Sequence, residues 1–402
     1  MRSLSFIILL STCVMFSSAS ANNHHTLNTI DFEYYGFLTQ SLVKTDGNNY
    51  FGQSNGQQIS MDFRELGIGA NLFISKKFSL AGLLLSRTAG ETDDGRVRFD
   101  YAKIEYGNIN LLGGSVSIRV GRLKLPFGLF NETRDVATTR PSILLPQSLY
   151  YDHARQYLIN ADGVQLDYLI SSRNHIHNFK FSYLRANTVG HDNKETEAYY
   201  LGRDFSGRLD AVPGDIFTLE YNNNKTNTTL RAQYSDHTIT YKPAVDDFLL
   251  NGEIHNQTSI FSAIQYIHNY TIIGEIFYPT LSYNDFGAVI PDKRVNPLGR
   301  YLQLNYRHNS YVEFYVRYDE TFVDASDKNG HKLSALTGRK AHNFFAYDKT
   351  FGLRYFPAPK FSVGVEYHDI VGTAFLPIQD NPNFSTHERY WRMLLIQASY
   401  TF

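Results

Sequence analysis

The chain has 402 residues, 38 basic and 39 acidic side chains and a formal charge of −1, so it lacks the basic excess that nucleic-acid binding needs. Its single cysteine is Cys13, and aromatic residues make up 15% of it, carried by 29 Tyr and 29 Phe against one Trp, while 19% is charged. A core disulfide framework and a thiolate metal site are thereby excluded, and the balance suits strands with one apolar and one wet face.

Residues 1–21 read as a secretory signal: Arg2 supplies the charged start, Leu4 to Phe16 the apolar run, and Ala19-Ser20-Ala21 the small-residue cleavage site. Cleavage there gives a mature chain of residues 22–402 with a charge of −2 and no cysteine. Leu10-Ser11-Thr12-Cys13 is a weaker lipoprotein-like alternative. Beyond this segment no apolar run approaches the ~20 residues of a spanning helix. His24-His25 are adjacent, so on a strand they would point oppositely; no metal site is expected there, and no cofactor motif appears anywhere.

From Asn28 onward apolar and polar residues alternate with period two. The pattern is legible in Leu66, Ile68, Ala70, Leu72; in Val116, Ile118, Val120; in Phe179, Phe181, Tyr183; and in Val312, Phe314, Val316, Tyr318, which interleave with Glu313, Tyr315, Arg317 and Asp319. Counting weaker segments, about sixteen strands are predicted. Between Val97 and Tyr106 the apolar parity switches, which predicts a bulge or a partly apolar inner patch.

Connectors are read as alternating strictly between short (75–77, 171–175, 222–226, 307–310, 358–360) and long (44–57, 125–156, 191–214, 238–255, 284–298, 323–342, 373–388). Short turns at one rim and long loops at the other, with a charged face running along the strands, predict an all-β fold: a closed transmembrane antiparallel barrel with a water-filled lumen. A soluble sandwich would also alternate, but it does not explain the rim asymmetry.

The longest connector, 125–156, follows the fifth strand. It carries Pro126, Pro141 and Pro146 with Phe127, Phe130, Tyr150 and Tyr151, so it is expected to be rigid. Arg119, Arg122 and Lys124 lead into it; Glu132, Arg134, Asp135, Arg140, Asp152 and Arg155 lie within it. A cationic bias at a constriction favours anions. The competing reading is that these arginines pair with the neighbouring carboxylates and with loop carbonyls, fixing the loop. Parity places Glu65, Lys180, Glu220, Arg231, Gln233, Asn305, Glu313, Arg317, Arg354 and Glu366 on the lumen face.

Glu366 and His368 share a face and His387 adjoins Glu388, but no nucleophile motif accompanies either pair, and solvated surface histidines are expected. The chain closes on Leu394, Ile396, Ala398, Tyr400 and Phe402 at alternate positions. That ending resembles the targeting signature of outer-membrane barrels, which implies that the barrel-assembly machinery reads the strand ending in Phe402.

In layout the chain resembles the sixteen-stranded porins, in which the loop after the fifth strand folds inward and narrows the pore. Gly121-Arg122-Leu123-Lys124-Leu125-Pro126-Phe127-Gly128 is similar to a segment of phosphate-selective porins of the O and P type, although no dense lysine and arginine ladder accompanies it. The resemblance implies an integral outer-membrane channel in contact with lipid and lipopolysaccharide, a homotrimer, and passive passage of small hydrophilic solutes or anions without catalysis. A substrate-specific anion channel, or an outer-membrane hydrolase or adhesin, is the alternative.

Overall fold

The computed structural model describes residues 30–152, 154–186, 194–203 and 205–402. The signal segment, Cys13 and His24-His25 lie outside the described residues, as does the junction at 187–193.

Sixteen strands run antiparallel in chain order: β1 (Asp31–Asp46), β2 (Ser60–Phe73), β3 (Phe78–Ala89), β4 (Asp94–Leu111), β5 (Gly114–Lys124), β6 (Asn160–Ser171), β7 (His175–Ala186), β8 (Arg208–Ala211 with Gly214–Asn223), β9 (Thr228–Lys242), β10 (Glu253–Ile267), β11 (Tyr270–Asn284), β12 (Lys293–Val295 with Leu298–Arg307), β13 (Val312–Phe322), β14 (Phe345–Ala358), β15 (Phe361–Gly372) and β16 (Tyr390–Thr401). β1 pairs with β2 on one side and with β16 on the other, so the sheet closes and no edge is left. β8 and β12 are each interrupted at a proline, Pro213 and Pro297, which has no N–H to give to the ladder.

Side chains alternate as period two demands. Leu66 and Ile68, Leu302 and Leu304, Phe314 and Val316, and Leu394 and Ile396 stand exposed on the outside; Glu65, Gln303, Arg317, Asp348 and Glu366 are buried inside. An apolar outer wall around a charged interior is stable only with lipid outside, and the molecule is a membrane-spanning barrel. No helix of the described residues is long and apolar enough to span a membrane, and the strands do the spanning.

Four readings need correction. The alternation of connectors is not strict: β3 and β4 join at the long-loop rim through only residues 90–93. The loops read as 238–255 and 284–298 shrink, because β9 runs to Lys242, β10 starts at Glu253 and β12 starts at Lys293. Three short helices went unforeseen: α1 (Arg155–Leu158), α2 (Lys194–Leu201) and α3 (His331–Thr337). His368 is no surface residue: it is fully buried between Asp348 and Glu366, and His387 is buried too.

The parity switch in β4 is a bulge: Leu83 faces Tyr101 and Leu84 faces Phe99, leaving Asp100 as the extra residue. An apolar inner patch accompanies it, where Phe37, Leu83 and Leu85 pack with Tyr35, Tyr101 and Val136.

Candidate functional site

The connector from β5 to β6 turns into the lumen, and its main chain is fastened there by side chains of the wall. On the β9 to β11 side, Gly128 N–H donates to Gln233 (2.6 Å) and Leu129 N–H to Glu275 (2.9 Å), while the Arg231 guanidinium donates to the Gly128 carbonyl. Further round the wall, on β13 and β15, Ser148 N–H donates to Asp319 (3.3 Å) and Ile143 and Leu144 N–H donate to Glu366 (2.8 and 3.1 Å). Gln303 and Asn305 donate to the Pro141 carbonyl (2.9 and 3.0 Å), Arg354 to the Arg140 carbonyl and Arg317 to the Leu144 carbonyl. A loop has no ladder to satisfy its backbone, and here the wall replaces the ladder.

Glu275 is a buried carboxylate held without a cation. It accepts from Leu129 N–H, Ser262 (2.6 Å), Tyr150 (2.5 Å) and Tyr301 (2.6 Å), enough donors to offset its lost hydration.

The loop's own charges pair with one another and with the wall. Arg140 binds Glu65, and Arg155 and Lys124 both bind Asp135; Lys124 also reaches Asp100 at the bulge. Arg134 donates to the Tyr150 carbonyl (2.9 Å) and lies over the Tyr150 ring. Arg87, which sequence reasoning missed, is a hub: it meets Glu65 (3.3 Å), Asp93 (3.4 Å) and Asp152 (2.6 Å). Its signal was present, since Leu83, Leu85 and Arg87 share one parity.

Burial raises the Asp135 carboxyl, but Lys124 and Arg155 outweigh it and hold the group well below the usual range. Burial likewise raises Glu132, and Lys180 and Arg231 pull it down to about 2. Burial, helped by Arg155, pushes the Arg134 guanidinium down to about 9, so it stays charged at neutral pH. These shifts belong to a loop locked by ion pairs.

The predicted constriction set therefore divides. Arg134, Asp135, Arg140 and Arg155 keep at most 5% side-chain exposure and are internal struts. Arg119 (16%) and Glu132 (27%) reach the open lumen, together with Lys103 (18%) and Glu105 (23%), which the switched parity of β4 had hidden. Arg119 bridges Glu105 and Asp167 at 2.9 and 2.8 Å. Arg122 is misplaced by the sequence reading. It shares parity with the exposed Ile118 and Val120, stands opposite the outward Ala102 and pairs with Asp162 (2.9 Å) on the outer face.

Arg231, Glu313, Arg317 and Arg354 do face inward, with Arg354 bonded to Glu313, but the loop covers them. Among the described residues no group of three or more His, Cys, Asp or Glu converges as a metal would require.

No family model matches the sequence, and no curated protein matches it either. Among solved structures the chain is similar to the outer membrane channel DcaP of Acinetobacter baumannii, with a TM-score of 0.60 and 12% identity over 94% of this chain and 99% of that one. It is also similar to Salmonella typhi OmpF in complex with daunomycin (TM-score 0.55, 14% identity, 92% and 97% covered). The trimer form of Vibrio cholerae OmpT is a third (TM-score 0.55, 11% identity, 93% and 100% covered). The fold is a porin-type barrel. At these identities the likeness is one of fold, and the chemistry of this barrel has to be argued from its own lumen.

Proposed function

We propose that the barrel is a passive channel for small hydrophilic solutes and ions, with the inserted loop 125–156 setting its narrowest section. One observation carries this reading: the loop main chain is anchored by wall residues strung along β9 to β15 of a closed, charge-lined barrel, and its Arg140 side chain is tied to Glu65 on β2, a construction that fixes a radius and serves no covalent step. Lys103, Glu105, Arg119 and Glu132 supply the field that a passing ion meets. Both signs are interleaved there, which supports weak ion preference, leaning to anions through Arg119. It argues against a dedicated phosphate path, all the more because Arg122 of the phosphate-porin-like segment faces outward.

In this reading residues 1–21 are removed on export, the strand ending in Phe402 is recognised during assembly, and the mature barrel forms a homotrimer in lipid and lipopolysaccharide. Planar-bilayer recording on refolded protein under a salt gradient tests the function. Discrete conductance steps, with a reversal potential that moves toward the cation side in Arg119→Ala, are expected. Folded, membrane-inserted protein that gives no steps would remove the channel reading and leave the hydrolase or adhesin.

A further inference from the structure

At the long-loop end of the barrel, between the inserted loop and β7 to β11, lies a recess. Its character differs from the ion-paired lumen. Six aromatic side chains line it: Phe127, Tyr151 and Tyr157 from the loop, Tyr199 and Tyr200 from α2, and Phe277 from β11. They touch in sequence around the recess, with ring centroids of Phe127 and Phe277 at 5.6 Å, Phe277 and Tyr151 at 6.2 Å, Tyr151 and Tyr199 at 5.5 Å, Tyr199 and Tyr200 at 5.2 Å, and Tyr200 and Tyr157 at 5.7 Å.

Apart from the tyrosine hydroxyls, its polar side chains come from adjacent strands, with Gln233, Ser235 and His237 on β9 and Asn256 and Thr258 on β10. Among the described residues no lysine or arginine lines the recess, and its one carboxylate is Asp215 on β8, in register with Tyr183 on β7 and Asp236 on β9. The floor is closed by Pro126 to Gly128, which Gln233 clamps from both sides. Tyr157 is 4% exposed, yet among the described residues its hydroxyl has no hydrogen-bond partner. A buried hydroxyl without a partner costs free energy, and a bound polar atom would relieve that cost.

We infer that this recess is a binding site for neutral amphipathic solutes with an aromatic ring at one end and hydroxyl groups at the other, aryl glycosides being the class that fits. The ring packs among the aromatic side chains, where offset and edge contacts are favourable. The hydroxylated end faces Gln233, Asn256 and Thr258, and one of its oxygens accepts from Tyr157. An ion would be stripped of water there with no partner of opposite charge, so the site discriminates against benzoate-like anions that the charged part of the lumen tolerates. The assignment rests on the channel reading only in placing the site on a solute's route through the barrel.

Phenyl β-glucoside, methyl β-glucoside and benzoate are each titrated by calorimetry into refolded protein in detergent, with empty micelles as baseline, and each is then added to single channels in a planar bilayer. Saturable binding of phenyl β-glucoside at least about tenfold tighter than either comparison compound is expected, with matching transient current blocks. Tyr157→Phe should weaken it roughly three- to tenfold through the loss of one donor, and Tyr199→Ala at least as much. Heat-modifiable gel mobility verifies that both variants are folded. Equal affinity for the two glucosides, or variants that bind as wild type does, would overturn the site. Selective binding without any conductance would instead keep the site and refute the channel; conductance without selective binding would do the reverse.

Discussion

Arg119 and Arg122 stand three residues apart on β5, and a strand's period of two sends them to opposite faces. The sequence reading grouped both by proximity to the loop, although the alternation of Ile118 and Val120 already marked the outer parity that Arg122 shares. Arg119→Ala should therefore shift the reversal potential, whereas Arg122→Ala, which breaks only the outer pair with Asp162, should leave it at the wild-type value. A variant at Arg122 that moves selectivity as far as one at Arg119 would contradict the assigned faces.

Glu132 is held at about 2 in the fold, far below the value of about 4.3 for an unfolded glutamate. A depressed carboxylate contributes stability that is complete above the unfolded value and is lost as pH falls through the folded one. The difference in guanidinium unfolding midpoint between wild type and Glu132→Gln should then be constant from about pH 8 to 5 and vanish between about 4 and 2. A difference that disappears already at pH 6 would mean that Lys180 and Arg231 do not hold this carboxylate.

Among the elements, the inserted loop shows where sequence reading succeeds and where it stops. Its place after the fifth strand, its stiffening by Pro126, Pro141 and Pro146, and the pairing of its arginines with carboxylates were all legible from composition and order. Its anchors were not, because they come from far along the chain: Arg140 meets Glu65 75 residues away, and Ile143 meets Glu366 223 residues away. Pairings of that span are set by barrel closure, and no local pattern encodes them.

The anchors also predict what frees the loop. Glu275 and Glu366 are acceptors only, and an amide in their place presents two donors to a cluster of donors, leaving buried N–H groups unmatched at about 1–3 kcal/mol each. The double variant Glu275→Gln with Glu366→Gln should give larger and noisier single-channel steps at an unchanged number of strands, checked by circular dichroism. Steps of wild-type size and quietness would show that these carboxylates do not hold the loop.

For the molecule as a whole, closure is carried by β1 against β16, from Phe37 opposite Thr401 to Asp46 opposite Arg392, with Gly36 and Phe402 exchanging backbone hydrogen bonds at 3.2 and 3.0 Å. The alternate apolar positions from Leu394 to Phe402 were readable as an outward face, and they are one. Trp391 is the only tryptophan and has the opposite parity, so it lies inside at 2% exposure, its Nε1 donating to the Gly372 carbonyl (3.0 Å) and its ring beside Tyr50 and Phe375. Aromatic residues at strand ends ordinarily meet the lipid interface, so this placement distinguishes the closed register from a slip of one residue, which would turn Trp391 and Met393 outward and Leu394 and Ile396 inward. Intrinsic fluorescence excited at the tryptophan band should be blue-shifted in the folded barrel and should resist quenching by brominated acyl chains, while denaturant shifts it to the red in step with loss of heat-modifiable mobility. Strong quenching by brominated lipid in the folded state would place Trp391 on the outer wall, and with it would go the register of the closing strand and the inner faces from which the lumen charges were assigned.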